Sequence, residues 1–309
     1  MPEERTHSRR GFLKAGGLLG VGAIGTMLTA CSNADPFRNS DGGSDSSSVT
    51  IGSSTYYSAE IIGEIYAQRL EAGGFTAIRQ FRIGPREVFL PELEAGNLEL
   101  FPEYLGNLMQ YFAPDHPART KEEIYSALPE VLPDTIHPLG MAPASDQDSY
   151  NVTSQLAEEY GLKTIGDLKN LGRPVRIGAN SEAKDRPYGQ QGLKEHYGID
   201  AQFVPIEDSG GPLTVKALQD GDVDVADIYT SDPAIEKNGF VTLEDPESLI
   251  LPQNIIAIGH GRLTLQAASI VEDVNRRLTQ SALVALNARS IDEQLSASRI
   301  AEDWIAQTW

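Results

Sequence analysis

The stretch VTIGSSTYYSAEIIGEIYAQRLEAGG, residues 49–74, points to the fold class of this chain. Its first five residues form a short β-rich run, which predicts a strand. A helix follows over 58–72 and ends at Gly73-Gly74, because apolar side chains repeat there with a helical period. The apolar stripe comprises Ile61, Ile62, Ile65, Tyr66 and Leu70. A strand that leads directly into an amphipathic helix is the basic unit of an α/β fold.

The same order of strand and helix recurs in two blocks along the chain. The first block comprises strands at 49–53, 75–83 and 98–101 and helices at 58–72, 86–95 and 104–112. The second block starts near Tyr150 and comprises helices at 153–160, 187–197 and 212–219, a further helix capped at 164–167, and strands at 175–179, 202–206 and 223–229. This alternation predicts open, mostly parallel sheets.

Two segments connect the blocks, and a helical tail follows them. Residues 141–146 lead into the second block, and residues 240–258 lead out of it, so both are candidate hinges. Two long helices, 267–288 and 291–309, are predicted at the end of the chain. They must pack on a surface that the earlier elements have already formed.

The first 31 residues predict where the protein is located in the cell. Arg9-Arg10 precedes a weakly apolar, glycine-rich region, which is typical of a Tat export signal. Leu28-Thr29-Ala30-Cys31 resembles the cleavage site of bacterial lipoproteins, which implies removal of residues 1–30 and a lipid on Cys31. Read as a transmembrane helix, the apolar region of about 15 residues is too short for the roughly 20 needed to span a bilayer. We therefore expect a protein anchored at the outer face of the cytoplasmic membrane.

Composition limits the possible partners, the disulfides and the length of the folded part. The chain has 309 residues and a formal net charge of −19, which disfavours nucleic acid as a partner. Its only cysteine is Cys31, so no intramolecular disulfide can form. Residues 31–48 are rich in Ser, Asp and Gly and predict a flexible tether. About 260 residues then remain for one large or two medium domains.

Motifs for catalysis or metal binding are not recognisable in the sequence. The five histidines are scattered without ligand spacing, and neither a phosphate-loop nor a GxSxG motif occurs. We therefore expect no catalytic residue, no metal and no cofactor. Gly210-Gly211 before Pro212 is either a plain turn or a helix start whose amides face an anion such as a ligand carboxylate.

Tyrosine is the aromatic residue that stands out, with 11 residues against 9 Phe and 2 Trp. Several tyrosines follow predicted strands, which is where open α/β sheets place their ligands. Tyr56, Tyr57 and Tyr104 follow predicted strands, Tyr229 ends one, and Tyr150 opens the second block. A single tyrosine at such a place is more often a half-buried side chain with a wet hydroxyl. Several at equivalent places predict a ligand cleft between the two blocks.

Three segments together resemble the substrate-binding proteins of osmoprotectant ABC importers, which bind glycine betaine, choline or related betaines. They are residues 49–66, PEYLGN at 102–107 and DVDVADIYTSD at 222–232, and the resemblance covers nearly all of 49–309. It implies a two-lobed, type II periplasmic-binding-protein-like fold with a ligand cleft between lobes joined by a two-crossing hinge. The lobes would be 49–142 plus 245–309 and 143–244. The implied protein is a monomer that delivers a quaternary ammonium ligand to an ABC permease.

The resemblance also implies roles for individual residues. Tyr104 and Tyr229 would each give a ring to an aromatic cage, and Asp148-Ser149-Tyr150 would add a third tyrosine and a carboxylate. Arg186 would pair with the carboxylate of the ligand. Asn107 takes the place of a Thr in the family motif, and SSTYYS at 53–58 replaces the usual Lys and Phe of the first loop. Asn107, Tyr56 and Tyr57 are therefore further candidates for ligand contact.

Two alternatives remain at this stage. The same fold would also suit an amino acid or another small solute that lacks a quaternary nitrogen. More distantly, a hydrolase acting on envelope glycans would need a pair of carboxylates. Candidates for that pair are Glu60, Glu64, Glu103 and Asp148.

Overall fold

The computed structural model describes residues 47–309 and contains two five-stranded sheets. The export signal, Cys31 and the tether up to residue 46 lie outside the described residues. The strands are β1 (Ser48–Gly52), β2 (Thr76–Gln80), β3 (Leu100–Tyr104), β4 (Ile136–Ser145), β5 (Tyr150–Val152), β6 (Val175–Ala179), β7 (Ala201–Pro205), β8 (Val225–Asp227), β9 (Val241–Thr242) and β10 (Asn254–His260).

Helices flank both sheets. They are α1 (Tyr57–Ala72), α2 (Arg86–Glu94), α3 (Leu105–Phe112), α4 (Lys121–Val131), α5 (Ser154–Tyr160), α6 (Gln190–Tyr197), α7 (Pro212–Asp220), α8 (Ala234–Lys237), α9 (Leu265–Arg277), α10 (Gln280–Asp292) and α11 (Ala297–Thr308). Two short 3-10 segments span Ile165–Leu171 and Ser181–Asp185. None of the helices within 47–309 is long and apolar enough to cross a membrane.

The first sheet has the strand order β2-β1-β3-β10-β4, and the second has the order β7-β6-β8-β5-β9. In each sheet two neighbouring pairs of strands are parallel and two are antiparallel, and both antiparallel pairs involve one strand, β10 in the first sheet and β5 in the second. The α/β expectation is confirmed, but the expectation of mostly parallel sheets is wrong. Strands β5 and β10 each enter directly from the other sheet, without the crossover helix that a parallel neighbour needs, and both pair antiparallel with their neighbours.

Two crossings join the sheets. The chain leaves the first sheet after Ser145 and enters the second at Tyr150, and it returns between β9 and β10. The crossings run side by side, since the Asp146 N–H donates to Gln253 O at 3.1 Å. The expected boundary between 142 and 143 falls inside β4, so the limits of the two lobes remain a prediction.

The tail forms three helices, not the two that were expected. Thr279 accepts a hydrogen bond from the Ala282 N–H at 3.2 Å and thereby caps a new helix, α10, directly after Leu278. Ser296 caps α11 in the same way. The apolar pattern continues across both breaks, so the capping residues were the only local signal.

The first helix is buried on most sides because the tail covers it. Helix α1 contacts α9, α10 and α11 as well as the first sheet. The Tyr66 hydroxyl donates to Asn275 Oδ1 at 2.6 Å and ties α1 to α9. A separate apolar cluster fills the second sheet and its helices. The candidate ligand-binding site lies at the strand ends and the crossings between these two cores.

Candidate ligand-binding site

A cavity of about 300 Å³ is lined by residues of both sheets and of the crossing between them. Tyr104 at the end of β3 contributes from the first sheet, and Tyr229 just after β8 contributes from the second. Asp146 and Asp148 belong to the first crossing and also line it. Side chains that are far apart in sequence thus meet where the strands end, as is usual for ligand sites in α/β folds.

Four tyrosines line this cavity: Tyr56, Tyr104, Tyr188 and Tyr229. Tyr56 meets Tyr229 edge to face, with ring centroids 4.8 Å apart and an interplanar angle of 86°. Burial raises the pKa of all four hydroxyls, so they stay neutral. Tyr188 was missed as a site residue, and its position two residues after Arg186 is the only sequence signal for it.

Two of the predicted tyrosines are placed elsewhere. Tyr150 lies in the apolar core of the second sheet, where its hydroxyl donates to Tyr188 O at 2.6 Å. It therefore positions a cavity tyrosine and does not itself belong to the lining found within residues 47–309, and its contact with a ligand stays a prediction. Tyr57 begins α1, and its hydroxyl donates to Asp232 Oδ2 at 3.2 Å. As far as residues 47–309 form the lining, it includes Tyr56 but neither of these two.

A group of buried carboxyls borders the tyrosines. Asp148 lines the cavity and accepts a hydrogen bond from Asn107 Nδ2 at 3.5 Å. Behind it lies Asp227, and burial raises the pKa of both carboxyls. The charge on Asp148 raises the pKa of Asp227 further, and a hydrogen bond joins the two, which is the arrangement of a pair that shares one proton.

Asp146 is a second cavity carboxylate, and the sequence prediction missed it. Its side chain is 5 % exposed, and its Oδ1 accepts hydrogen bonds from the Ser231 hydroxyl and, at 3.3 Å, from the Ser231 N–H. Burial raises the pKa of Asp146 to about 7. The available signal was its spacing: in an extended segment, side chains two residues apart point to the same side, so Asp146 and Asp148 belong together.

Two arginines line the cavity, and they differ in how tightly each is paired with a carboxylate. Arg186 is one quarter exposed and lies 3.4 Å from Glu182 Oε2, a weak contact that leaves its guanidinium free for another anion. Arg86, which was not predicted, is tied to the buried Glu103, with Nε 2.6 Å from Oε1. Glu103 also accepts from the Tyr104 N–H, so this ion pair fixes the end of β3.

Close packing and hydrogen bonds explain the glycine and the asparagine of the PEYLGN motif, Gly106 and Asn107. The Gly106 N–H donates to Pro252 O at 3.0 Å, and a Cβ at this position would come within 2.6 Å of Leu251 Cβ. Asn107 lines the cavity and exchanges two hydrogen bonds with Gln253, both of 2.9 Å. The motif therefore locks the start of α3 against the returning crossing, beside Tyr104.

The glycine pair at 210–211 is a turn and not an anion site. The Asp208 carboxylate already accepts hydrogen bonds from the Leu213 N–H at 2.6 Å and the Thr214 N–H at 3.2 Å. Because this side chain occupies the start of α7, the structure supports the simpler of the two interpretations of Gly210-Gly211.

Of the four carboxylates of the hydrolase alternative, only Glu103 and Asp148 line the cavity. Glu64 accepts from Arg79 at 2.8 Å, and Glu60 faces Arg82 at 3.7 Å, both away from the cavity lining. Glu103 is held by Arg86. Within the described part of the chain, no group of three or more His, Cys, Asp or Glu side chains is placed to hold a metal ion.

Comparison with known proteins gives a consistent result. The model of the substrate-binding domain of ABC-type glycine betaine transport systems matches residues 47–307. The glycine betaine-binding protein YehZ of Escherichia coli K12 is 26% identical over 278 residues, which cover 84% of this chain and 90% of that protein.

Solved structures share the fold. A glycine betaine/carnitine/choline ABC transporter protein superposes with a TM-score of 0.69 at 18% identity, covering 84% of this chain and 98% of that one. A lactococcal protein in its closed form with glycine betaine superposes with a TM-score of 0.63 at 16% identity, covering 84% and 95%. The family model spans nearly all of the described residues. The chain therefore belongs to the family of substrate-binding domains of ABC-type glycine betaine transport systems.

Proposed function

We propose that this chain captures a quaternary-ammonium osmoprotectant, such as glycine betaine or choline, outside the cytoplasm and delivers it to an ABC permease. The observation that carries the proposal is the set of four tyrosines, from both sheets, around one cavity of about 300 Å³. Family membership supports the transport role, and the cavity supports the chemical class of the ligand.

The tyrosines suit a ligand that cannot donate hydrogen bonds. A trimethylammonium group has no N–H, so selective capture depends on aromatic faces, whose negative quadrupoles attract a desolvated cation by about 0.5 to 2 kcal/mol per ring. Burial raises the pKa of Tyr56, Tyr104 and Tyr229, and the charge on Asp146 raises each of them further. Rings and carboxylate together favour a cation.

Arg186 is placed to bind the carboxylate end of a betaine. It lines the same cavity, and only the weak contact to Glu182 competes for its guanidinium. A planar guanidinium holds a carboxylate through two parallel charge-assisted hydrogen bonds. One cavity would then bind both ends of a zwitterion, as the lobes close by a hinge at the two crossings.

Anchoring completes the proposal. Arg9-Arg10 would direct export of the folded protein, and a lipid on Cys31 would hold it at the outer face of the cytoplasmic membrane. The segment 31–48 would then serve as a tether that lets a monomer reach the permease.

Thermal unfolding across a ligand panel tests the proposal. At 100 times its dissociation constant, a ligand that binds only the folded state adds about 2.7 kcal/mol of stability. We expect glycine betaine, choline or carnitine to raise the unfolding temperature, and amino acids to have no effect. Tyr104→Ala should clearly reduce the shift, whereas Tyr111→Ala, which removes an exposed tyrosine of α3, should preserve it. A shift with an amino acid alone would favour the solute without a quaternary nitrogen.

A further inference from the structure

Tyr57 lies next to the cavity but is not part of the lining formed by residues 47–309. Its hydroxyl accepts a hydrogen bond from the Tyr56 hydroxyl at 3.0 Å and donates one to Asp232 Oδ2 at 3.2 Å. Tyr56 itself lines the cavity. Tyr57 therefore links a ring of the cavity to a carboxylate that is 175 residues away in the sequence.

The hydrogen bond between Tyr57 and Asp232 joins elements of the two sheets. Tyr57 is the first residue of α1, which packs on the first sheet beneath the tail helices. Asp232 follows β8 of the second sheet, in a turn over 229–232 that is closed by the Asp232 N–H, which donates to Tyr229 O at 2.9 Å. If the two sheets move apart around the crossings, this hydrogen bond must break.

Two neighbouring tyrosines hold the turn 229–232 at both of its ends. At the first residue of the turn, the Tyr229 ring packs edge to face on Tyr56 with centroids 4.8 Å apart, and at the last residue Asp232 bonds to Tyr57. The Tyr56 and Tyr57 rings are also in contact, with centroids 4.4 Å apart. Because one turn meets one pair of adjacent residues, both contacts form and break together. A ligand that orders Tyr56 therefore also favours the bond between Tyr57 and Asp232.

Asp232 is arranged to accept a donor from the other sheet. Its side chain is 5 % exposed, and its Oδ1 accepts from the Ala234 N–H at 2.7 Å, which leaves Oδ2 for Tyr57. Burial raises the pKa of Asp232, whereas the hydrogen bonds from Ala234 and Tyr57 lower it. A buried oxygen that loses its donor stays unpaired until water reaches it, which costs free energy. Opening of the cavity is opposed by this cost.

We propose that Tyr57 and Asp232 form a latch that holds the closed protein around its ligand, without contact between either side chain and the ligand. Release of the ligand requires opening, and opening breaks the latch. Association starts from the open form, in which the latch is not yet made. Tyr57 and Asp232 are thus positioning residues, whose loss changes the rate of dissociation and not that of association. This inference rests on the proposed function, since it assumes that the protein captures a solute by closing.

Release kinetics of the purified full chain are the first test, with radiolabelled glycine betaine and choline as ligands. Tyr57→Phe keeps the ring and removes only the hydroxyl. A hydrogen bond to a charged group corresponds to a difference of about tenfold, so the dissociation rate constant should rise by about tenfold. The association rate constant should stay nearly unchanged. An unchanged dissociation rate, or a loss that lies in the association rate, would overturn the inference.

Variants of Asp232 assign the effect to one bond. Asp232→Ala should raise the dissociation rate as Tyr57→Phe does, and the double variant should show no further rise, because both changes break the same bond. Asp232→Asn keeps an acceptor oxygen and should restore part of the slow release. A further rise in the double variant would contradict the latch. If Asp232→Ala fails to fold by circular dichroism, because it also loses the bond to Ala234, Tyr57→Phe alone decides.

Tyr66→Phe is the matched control from the same helix. The Tyr66 hydroxyl donates to Asn275 Oδ1 at 2.6 Å, a buried bond between α1 and α9 that does not reach the second sheet. Its loss should lower the unfolding temperature but leave the dissociation rate as in the parent. An equal rise of the dissociation rate in Tyr66→Phe and Tyr57→Phe would assign the effect to the packing of α1 and refute the latch.

Spin labels measure closure without depending on a ligand. Val88 on α2 and Leu213 on α7 are exposed and belong to opposite sheets, and Cys31→Ser removes the only native cysteine. Double electron–electron resonance between labels on Val88→Cys and Leu213→Cys should show a smaller closed fraction in Tyr57→Phe than in the parent. Failure of both glycine betaine and choline to bind would refute the proposed function alone. Identical distance distributions in the parent and in Tyr57→Phe would overturn the latch, whichever ligand binds.

Discussion

The coupling between Tyr104 and Tyr229 gives the most informative prediction. Tyr104 ends β3 in the first sheet and Tyr229 follows β8 in the second, yet both line one cavity. Each ring contributes about 0.5 to 2 kcal/mol to binding of a desolvated cation. Tyr104→Ala should therefore weaken choline binding by about 1 to 2 kcal/mol, a loss of roughly 5- to 30-fold.

Tyr229→Ala should cost more than Tyr104→Ala. Tyr229 also packs edge to face on Tyr56, with ring centroids 4.8 Å apart. Such a pair contributes about 0.5 to 1.5 kcal/mol beyond its buried area, so its loss releases a second ring of the lining. The Phe variants keep the ring face, so each should cost less than the corresponding Ala variant.

A double-mutant cycle measured by titration calorimetry tests the coupling between Tyr104 and Tyr229. Because neither ring can enclose the cation alone, the double Ala variant should deviate from additivity by at least about 0.5 kcal/mol. Tyr111→Ala should bind as the parent does and controls for general effects of removing a tyrosine. Strict additivity, or single Ala variants that fold and bind normally, would refute a shared binding site between the two sheets.

Three further predictions concern charge, anchoring and pH. Arg186→Ala should weaken glycine betaine by about 1.5 to 3 kcal/mol but leave choline nearly unchanged in calorimetry, since only the betaine has a carboxylate; equal losses would remove Arg186 from this role. Cys31→Ser should shift the protein from the detergent phase to the aqueous phase or leave it unprocessed, and unchanged partitioning would argue against lipidation. Burial raises the pKa of Asp146 to about 7 from an ordinary value near 4, so its protonated form favours the folded state. Its stabilising effect, on the order of 4 kcal/mol, should be complete below pH 4 and disappear as the pH rises through 7. Thermal unfolding at pH 5 and pH 8 should therefore differ less in Asp146→Asn than in the parent, and an equal difference in both would contradict the assigned cause.

The sequence predicted the α/β order and the motif tyrosines because both depend on local patterns. The boundaries of β6 (Val175–Ala179) were predicted to the residue, since its apolar run is bounded by turns on both sides. Antiparallel pairing of the connecting strands was not visible, because it depends on how the chain passes between the sheets. Likewise, the separate α10 followed from one capping threonine, Thr279, within a continuous apolar pattern.

The site was harder to predict than the fold. Tyr104 and Tyr229 came from motifs, and the structure places both in one lining. Tyr150 is part of a comparable motif but lies in the core of the second sheet. Tyr188 and Asp146 join the lining only through the tertiary fold. No local pattern distinguishes a buried carboxylate that faces a cavity from one that serves a turn.

Titration calorimetry of the full chain with choline, with the ligand recovered and analysed afterwards, tests the central claim most directly. We expect one molecule of choline to bind per chain, to be recovered chemically unchanged, and to bind at least fivefold more weakly to Tyr104→Ala. Chemical turnover of the ligand, the absence of binding by choline and glycine betaine alike, or equal binding by the Tyr104→Ala variant would contradict the account.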